Sequence, residues 1–335
     1  MSKLRNDDAQ SRIQVKRIKP TSLEKIDSTL VSARTDFMLE TLTPLFIWGG
    51  YGRGDPKPVL NRFYSATLPS EKKQLERFLQ RVVNEIKDVV EDEPRRRFGH
   101  APREFYSADA YSALIPSSTI KGSIRSRLEH LFKKTDNSVG CCYSVPKQFK
   151  TGRPSPHYIS LYSPLERGSC KLTEEAKCVC VVCNIFGALG LASHVRFSDG
   201  IPDGNVMTEN YMVHPSTTIE AVKAGSHFRF SMNCDNLKPE ELGLIFKAMR
   251  LHEKKPILMG SYKYASKQID KGSVKEQRFG EVTIKPLSMQ TFRVESGRVV
   301  CQTEDVEGFV SKCLESADTK FGNELRPLDE VAMKK

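Results

Sequence analysis

The chain is predicted to be an α+β protein with a ferredoxin-like core, and three observations predict it. Segments of alternating hydrophobicity and segments of helical periodicity follow one another in the order strand, helix, strand, strand, helix, strand. The stretch 136–177 obeys neither period and is rich in Ser, Pro, Gly, Lys and Cys, which marks an irregular insertion. A length of 335 residues suits one core with insertions as well as two small domains, and we read one core. The expected division is 37–135 and 184–300 for the core, 136–183 for a cysteine-rich insertion and 301–335 for a C-terminal extension.

Phe37 to Ile47 reads as the first strand, running into the glycine-rich loop Gly49 to Asp55. From Ser70 to Val90, Leu75, Phe78, Leu79, Val82, Val83, Ile86, Val89 and Val90 mark one apolar helical face. Glu93 to Arg97 then ends that helix in a basic loop. The next helix opens at Ile115-Pro-Ser-Ser-Thr and carries Ile120, Ile124, Leu128 and Leu131 on one face. Ser193 to Ser198 and Ser226 to Asn233 alternate as half-buried strands, with a hairpin across Met207 to Ile219 between them. Pro239-Glu240-Glu241 starts a helix to His252. A basic loop from Gly260 to Gly280 precedes the strand Glu281 to Lys285.

The helix at residue 117 has the chemistry of a phosphate site. Ser117 or Ser118 can serve as N-cap, the first-turn amides are donors, and Lys121 and Arg125 share a face beside Gly122. The same pattern fits an ordinary amphipathic surface helix. In the loop after residue 260, Tyr262, Lys263, Tyr264, Lys267 and Arg278 interleave rings with cations, a pattern that stacks on unpaired bases or anchors a loop.

Nine cysteines, odd in number and unevenly spaced, do not make a secreted disulfide framework. Cys180-Val-Val-Cys183 is a C-x-x-C pair, and Cys170, Cys141, Cys142, Cys178 and His157 lie nearby. Four such ligands around a structural Zn2+ would stabilise an insertion with little core of its own. The expected ligands are Cys180, Cys183, Cys170 and Cys141, with Cys142, Cys178 and His157 as substitutes. Valines 179, 181 and 182 also fit a buried strand whose cysteines simply pack.

Fifty-two Lys plus Arg against forty-one Asp plus Glu leave a net charge of +11, which favours an acidic partner. No apolar run approaches the roughly 20 residues of a membrane span, and residues 1–20 lack the apolar core of a signal peptide. A cytoplasmic protein without a membrane partner is expected.

Several of these segments together resemble the RAMP superfamily, the backbone-type subunits of CRISPR effector complexes, and among them subunits of type III or type III-derived systems such as type VII. The resemblance rests on Thr41 to Ile47 with its glycine loop, Ile115 to Leu128, Cys180 to Gly187, Ser193 to Asp199 and Arg278 to Val282, in that order. It implies an RRM-like palm with a thumb hairpin, gripping guide RNA and holding the guide–target duplex. Ser117, Ser118, Lys121, Gly122 and Arg125 would contact guide phosphates, and Asn184 to Gly187, Ser193, His194 and Arg196 would line the same groove. Met212 and Val213 would be apolar wedges of the thumb, unless they face the core. The loop Gly260 to Arg278 is longer and more basic than the family's glycine loop. Expected partners are guide RNA, complementary target RNA, copies of the chain, other effector subunits and, where the backbone only binds, a separate nuclease.

The resemblance also implies a metal-dependent cleavage role, with Mg2+, for an aspartate after the first strand. Asp55 occupies that place, although Pro56 and Pro58 depart from the family pattern, and Asp109 is a weaker candidate. The alternative activity is a metal-dependent endoribonuclease that cuts target RNA or processes precursor guide RNA. For precursor processing His100, His130, His157, His194 and His227 are the available acid–base groups. A further alternative is a zinc-stabilised interaction protein that binds no RNA.

Overall fold

The computed structural model describes residues 14–23, 27, 29–47, 74–84, 114–135, 138–142, 170–214, 217–264, 267–270 and 273–332. Its centre is an antiparallel sheet built on three long strands, β2 (Val31–Thr41), β9 (His227–Leu237) and β13 (Glu281–Glu295). β2 lies between β13 and β9, and the short β5 (Val195–Phe197) borders β9. β10 (Ile257–Leu258) and β14 (Arg298–Thr303) flank β13, and β6 (Ile201–Pro202) pairs with the start of β9.

Side-chain alternation decides which face is covered. Ala33, Thr35, Phe37, Leu39 and Thr41 of β2 and Phe228, Phe230, Met232 and Cys234 of β9 are buried, and the Phe37 and Phe230 rings stack at 5.1 Å. Helices α2 (Ser117–Leu131), α4 (Pro239–Ala248) and α5 (Val306–Phe321) supply further apolar side chains to this core. Ile120, Ile124, Leu128 and Leu131 of α2 are buried, as their spacing predicts. Another helical stretch, α1, spans residues 74–84, where Leu79 and Val83 stay exposed.

Three boundaries depart from the sequence reading. The first strand starts at Val31 and ends at Thr41, and Leu45 and Phe46 form single bridges to Val222 and Ser261 instead of continuing it. The helix after Pro239 ends at Ala248, because Arg250 takes a left-handed φ of 57°. The basic loop after Gly260 carries a hairpin, β11 (Lys267–Asp270) with β12 (Ser273–Glu276). The expected hairpin is present as β7 (Thr208–His214) with β8 (Thr217–Val222). Beside these hairpins, Phe46, Tyr211, Ile219, Ala221 and Phe279 form a second, smaller apolar cluster.

The segment beyond residue 300 is part of the body. α5 lies so close to α4 that a Cβ on Gly243 would overlap the Cys313 backbone. Further on, residues 325–330 act as a strap. Arg326 N–H donates to Leu131 O (2.9 Å), Glu330 pairs with the buried Arg127 (2.7 Å), and Asp329 pairs with the buried Arg250 (3.2 Å). The Arg250 guanidinium holds the Asp329 carboxyl below the usual carboxylate range.

Candidate metal centre and nucleic-acid interface

The insertion contributes a sulfur cluster. After β3 (Lys134–Thr135) and β4 (Ser138–Val139) the chain reaches Cys142, and Cys180 caps the short helix α3 (Val181–Phe186) that contains Cys183. The sulfur atoms of Cys142, Cys170, Cys180 and Cys183, all buried, lie within 4.8 Å of one another. Cys142 Sγ is 3.4 Å from Cys183 Sγ, the Cys180 amide donates to Cys170 Sγ (3.2 Å), and the Cys183 amide donates to Cys180 Sγ (3.4 Å). A tetrahedral Zn–S4 unit with bonds of about 2.3 Å needs sulfurs about 3.8 Å apart, so the four residues fit such an ion. The thiols also share protons unequally. Hydrogen bonds, that from Cys142 foremost, hold the thiols of Cys170 and Cys180 low. The same web pushes Cys142 and Cys183 up, Cys142 chiefly through Cys170 and Cys183 chiefly through Cys142.

One expected ligand changes. Cys141 Sγ donates to the Glu129 carbonyl (3.3 Å), and its neighbour Cys142 supplies the fourth sulfur. Cys178 is exposed and outside the cluster, and His157 lies outside the described residues. A strap from the N-terminal side holds the site closed. β1 (Gln14–Val15) pairs with β4, Ile18 exchanges both backbone hydrogen bonds with Val179, and Thr21 N–H donates to Asn184 Oδ1 (3.0 Å). Asn184 in turn donates to Glu241 Oε1 (2.9 Å), whose carboxyl burial pushes above its ordinary value.

Helix α2 is tied into this neighbourhood. Its first amide, Ser117 N–H, donates to Asp199 Oδ1 (2.7 Å), and neither Ser117 nor Ser118 caps the helix with its side chain. Lys121 and Arg125 do share a face, but that face is partly buried and its cations are spent on contacts within the chain. Lys121 Nζ donates to Ser193 Oγ (2.8 Å) and to the Val195 carbonyl (3.2 Å), and burial, followed by the charge of Arg125, pulls its pKa down. Arg125 reaches Glu129, Gly187 O and Cys183 Sγ. The outward side of α2 carries Ser118 and Gly122, with open space where a Gly122 Cβ would stand. Asn184 and His194 are fully buried, and His194 Nδ1–H donates to the Asp235 carbonyl (2.7 Å), so neither lines a groove in this structure.

The uncovered face of the sheet adds a set of groups that sequence reading passed over, apart from Arg196. Arg34, Arg196, Arg229 and Lys285 stand there with side chains 50%, 67%, 63% and 70% exposed, each near a carboxylate, of Asp36, Asp235, Asp203 and Glu40 respectively. Ser231 and Ser288, from the strands on either side, donate to Asp36 (2.6 and 2.9 Å) and help hold its pKa low against the opposing effect of partial burial. Strand alternation in β2 and β9 was the signal that could have found this row. Exposed ion pairs are worth at most about 1 kcal/mol, so an incoming phosphate can exchange with the carboxylates at little cost.

A family model described as RAMP superfamily matches residues 38–251, which hold the end of β2, all of α2, the cysteine helix, the first hairpin and α4. The chain belongs to the RAMP superfamily. Membership makes it CRISPR-associated and points to RNA binding. No curated protein matches the chain.

Within this RAMP protein the hairpin residues part company. Met212 is exposed at 38%, whereas Val213 packs against the small aromatic cluster. Tyr262 also joins that cluster, 5.7 Å from the Phe46 ring, and Tyr264 packs on the main core with Lys263 Nζ 5.3 Å from its ring centroid. Both tyrosines, partly exposed, thus pack on neighbouring side chains. Arg278 lies 3.6 Å from Glu276 and 3.9 Å from Glu281, and Lys267 begins β11. Asp55, Asp109 and His100 lie outside the described residues. Among the described residues no helix is long and apolar enough to cross a membrane.

Proposed function

We propose that this RAMP protein is a guide-RNA-binding backbone subunit of a type III or type III-derived CRISPR effector, cytoplasmic, and assembled along the guide with copies of itself and other subunits. The family match over residues 38–251 carries the reading. The strand order supports a ferredoxin-like, RRM-like palm: in chain order the four core strands are β2, β5, β9 and β13, and they lie side by side as fourth, first, third, second. The β7–β8 hairpin fits the thumb, with Met212 as its apolar wedge between guide and target. Ser118 and Gly122 on the outer side of α2, together with Arg196 and the other open-face cations, suit contacts to a phosphate backbone. A glycine in mid-helix costs about 1 kcal/mol relative to alanine, and open space above Gly122 is what a closely approaching backbone would use. Zn2+ is the ion proposed for the four cysteines, as a structural element.

The test is co-expression with a repeat–spacer array, followed by extraction of bound RNA. The proposal expects guide-sized RNA, bound with a salt slope of about 0.7 log units per phosphate contact. Absence of RNA would sink it. Regularly spaced cuts in complementary RNA with Mg2+, abolished by Asp55→Ala, would make the backbone itself the nuclease; binding without cuts would leave cleavage to a separate partner.

A further inference from the structure

We propose that Arg125 is the counter-ion of the four-cysteine metal centre, a positioning residue that joins helix α2 to the metal, and not a phosphate contact. The proposal rests on the reading of the cysteine cluster as a metal site. The guanidinium, partly buried with its side chain 33% exposed, spends three directions of its fork on the protein itself: Nε donates to Glu129 Oε1 (2.9 Å), Nη1 to the Gly187 carbonyl (3.0 Å) and Nη2 to Cys183 Sγ (3.6 Å). Gly187 caps the helix that carries Cys183, so one side chain grips both a ligand and the backbone that aims it.

The charge balance explains why a cation belongs there. Four thiolates around a divalent ion leave a net charge of −2, set among the buried Val179, Val181, Val182 and Ile185. A guanidinium beside one sulfur lowers the cost of that charge, and its N–H bond withdraws electron density from the thiolate. Lysine offers a similar charge without the planar fork. Lys121, one turn earlier, is occupied by Ser193 and the Val195 carbonyl and does not substitute.

The experiment uses the full chain and compares wild type with Arg125→Met and Arg125→Lys, with Co2+ and Zn2+ as probes and a chromophoric chelator as competitor. Circular dichroism checks each fold. Wild type should bind Co2+ with thiolate-to-cobalt charge-transfer absorption. Arg125→Met should bind both ions about 10- to 100-fold more weakly, as loss of an outer-shell partner does, and Arg125→Lys should fall between. Loaded Arg125→Met should also react faster with N-ethylmaleimide, while its affinity for single-stranded RNA, measured at saturating Zn2+, stays within about twofold of wild type on the same reading. Unchanged metal affinity with weakened RNA binding would overturn the proposal and return Arg125 to the phosphates. If wild type shows no charge-transfer band, the metal reading itself fails, and the inference falls with it before any variant is read.

Discussion

The cysteine knuckle and the hairpin arm solve the same problem with different means. Among the described residues, each is a small set of short elements beside the main sheet. The arm pairs its backbone as β7–β8 and β11–β12 and sits on a five-residue cluster of mostly aromatic side chains. Among the described residues the knuckle has only two-residue strands and one short helix, and it gathers four sulfurs and an N-terminal strap instead. Where the backbone can satisfy itself in a hairpin, a few rings suffice; where it cannot, side chains must be cross-linked through something stronger than packing.

The comparison can be tested from its largest consequence downward. Cys180→Ser should remove a ligand whose metal contributes, in small zinc domains, of order 10 kcal/mol to folding. Hydrogen exchange should then rise around 138–142 and 170–191 and stay unchanged in β7 and β8; equal loosening of the arm would break the distinction. Phe279→Ala should cost about 3–5 kcal/mol, read by denaturant unfolding, and loosen the arm while the cobalt spectrum persists. Gly122→Ala should stabilise the chain by about 0.5–1 kcal/mol through helix propensity and weaken RNA binding, because the new methyl occupies the open approach. Glu241, which ties α4 to the knuckle through Asn184, has its folded pKa raised by burial, so its folding contribution is best below the unfolded value of about 4.3 and declines as pH rises past it. Glu241→Gln should flatten that decline in a pH series of melting temperatures. Met212→Ser should move stability by no more than about 0.5 kcal/mol and show its effect only in duplex holding.

Much of the fold was legible because periodicity records which side of an element is covered. β2, β9 and α2 bury the residues their patterns select. Partners far along the chain were not legible. Lys121 and Arg125 share a face as their spacing requires, yet its cations are spent within the chain because Ser193, Gly187 and Cys183, 58 to 72 residues away, meet them there. The amide expected to greet a phosphate is taken by Asp199, 82 residues on. Three metal-cluster cysteines followed from spacing, but the choice between Cys141 and Cys142 depends on how the backbone leaves β4, which composition does not encode. Cys301 and Cys313 differ for the same reason: α5 buries the second and β14 leaves the first exposed.

The strap at residues 325–330 gives synthesis a schedule. Arg127 and its carboxylate partner Glu330 are 203 residues apart in the chain. At about 5–20 residues per second, the helix that carries Arg127 emerges roughly 10–40 s before that partner exists. Through that interval the guanidinium destined for the interior lacks its carboxylate and has only the Lys247 and Ala248 carbonyls at the end of α4 to receive it. Completion of the body is thereby postponed to the last residues described. A nascent chain cut short before Asp329 and Glu330 would leave the interior Arg127 without its carboxylate and Arg250 with Glu253 alone, a defect a protease can act on before the incomplete protein is put to use.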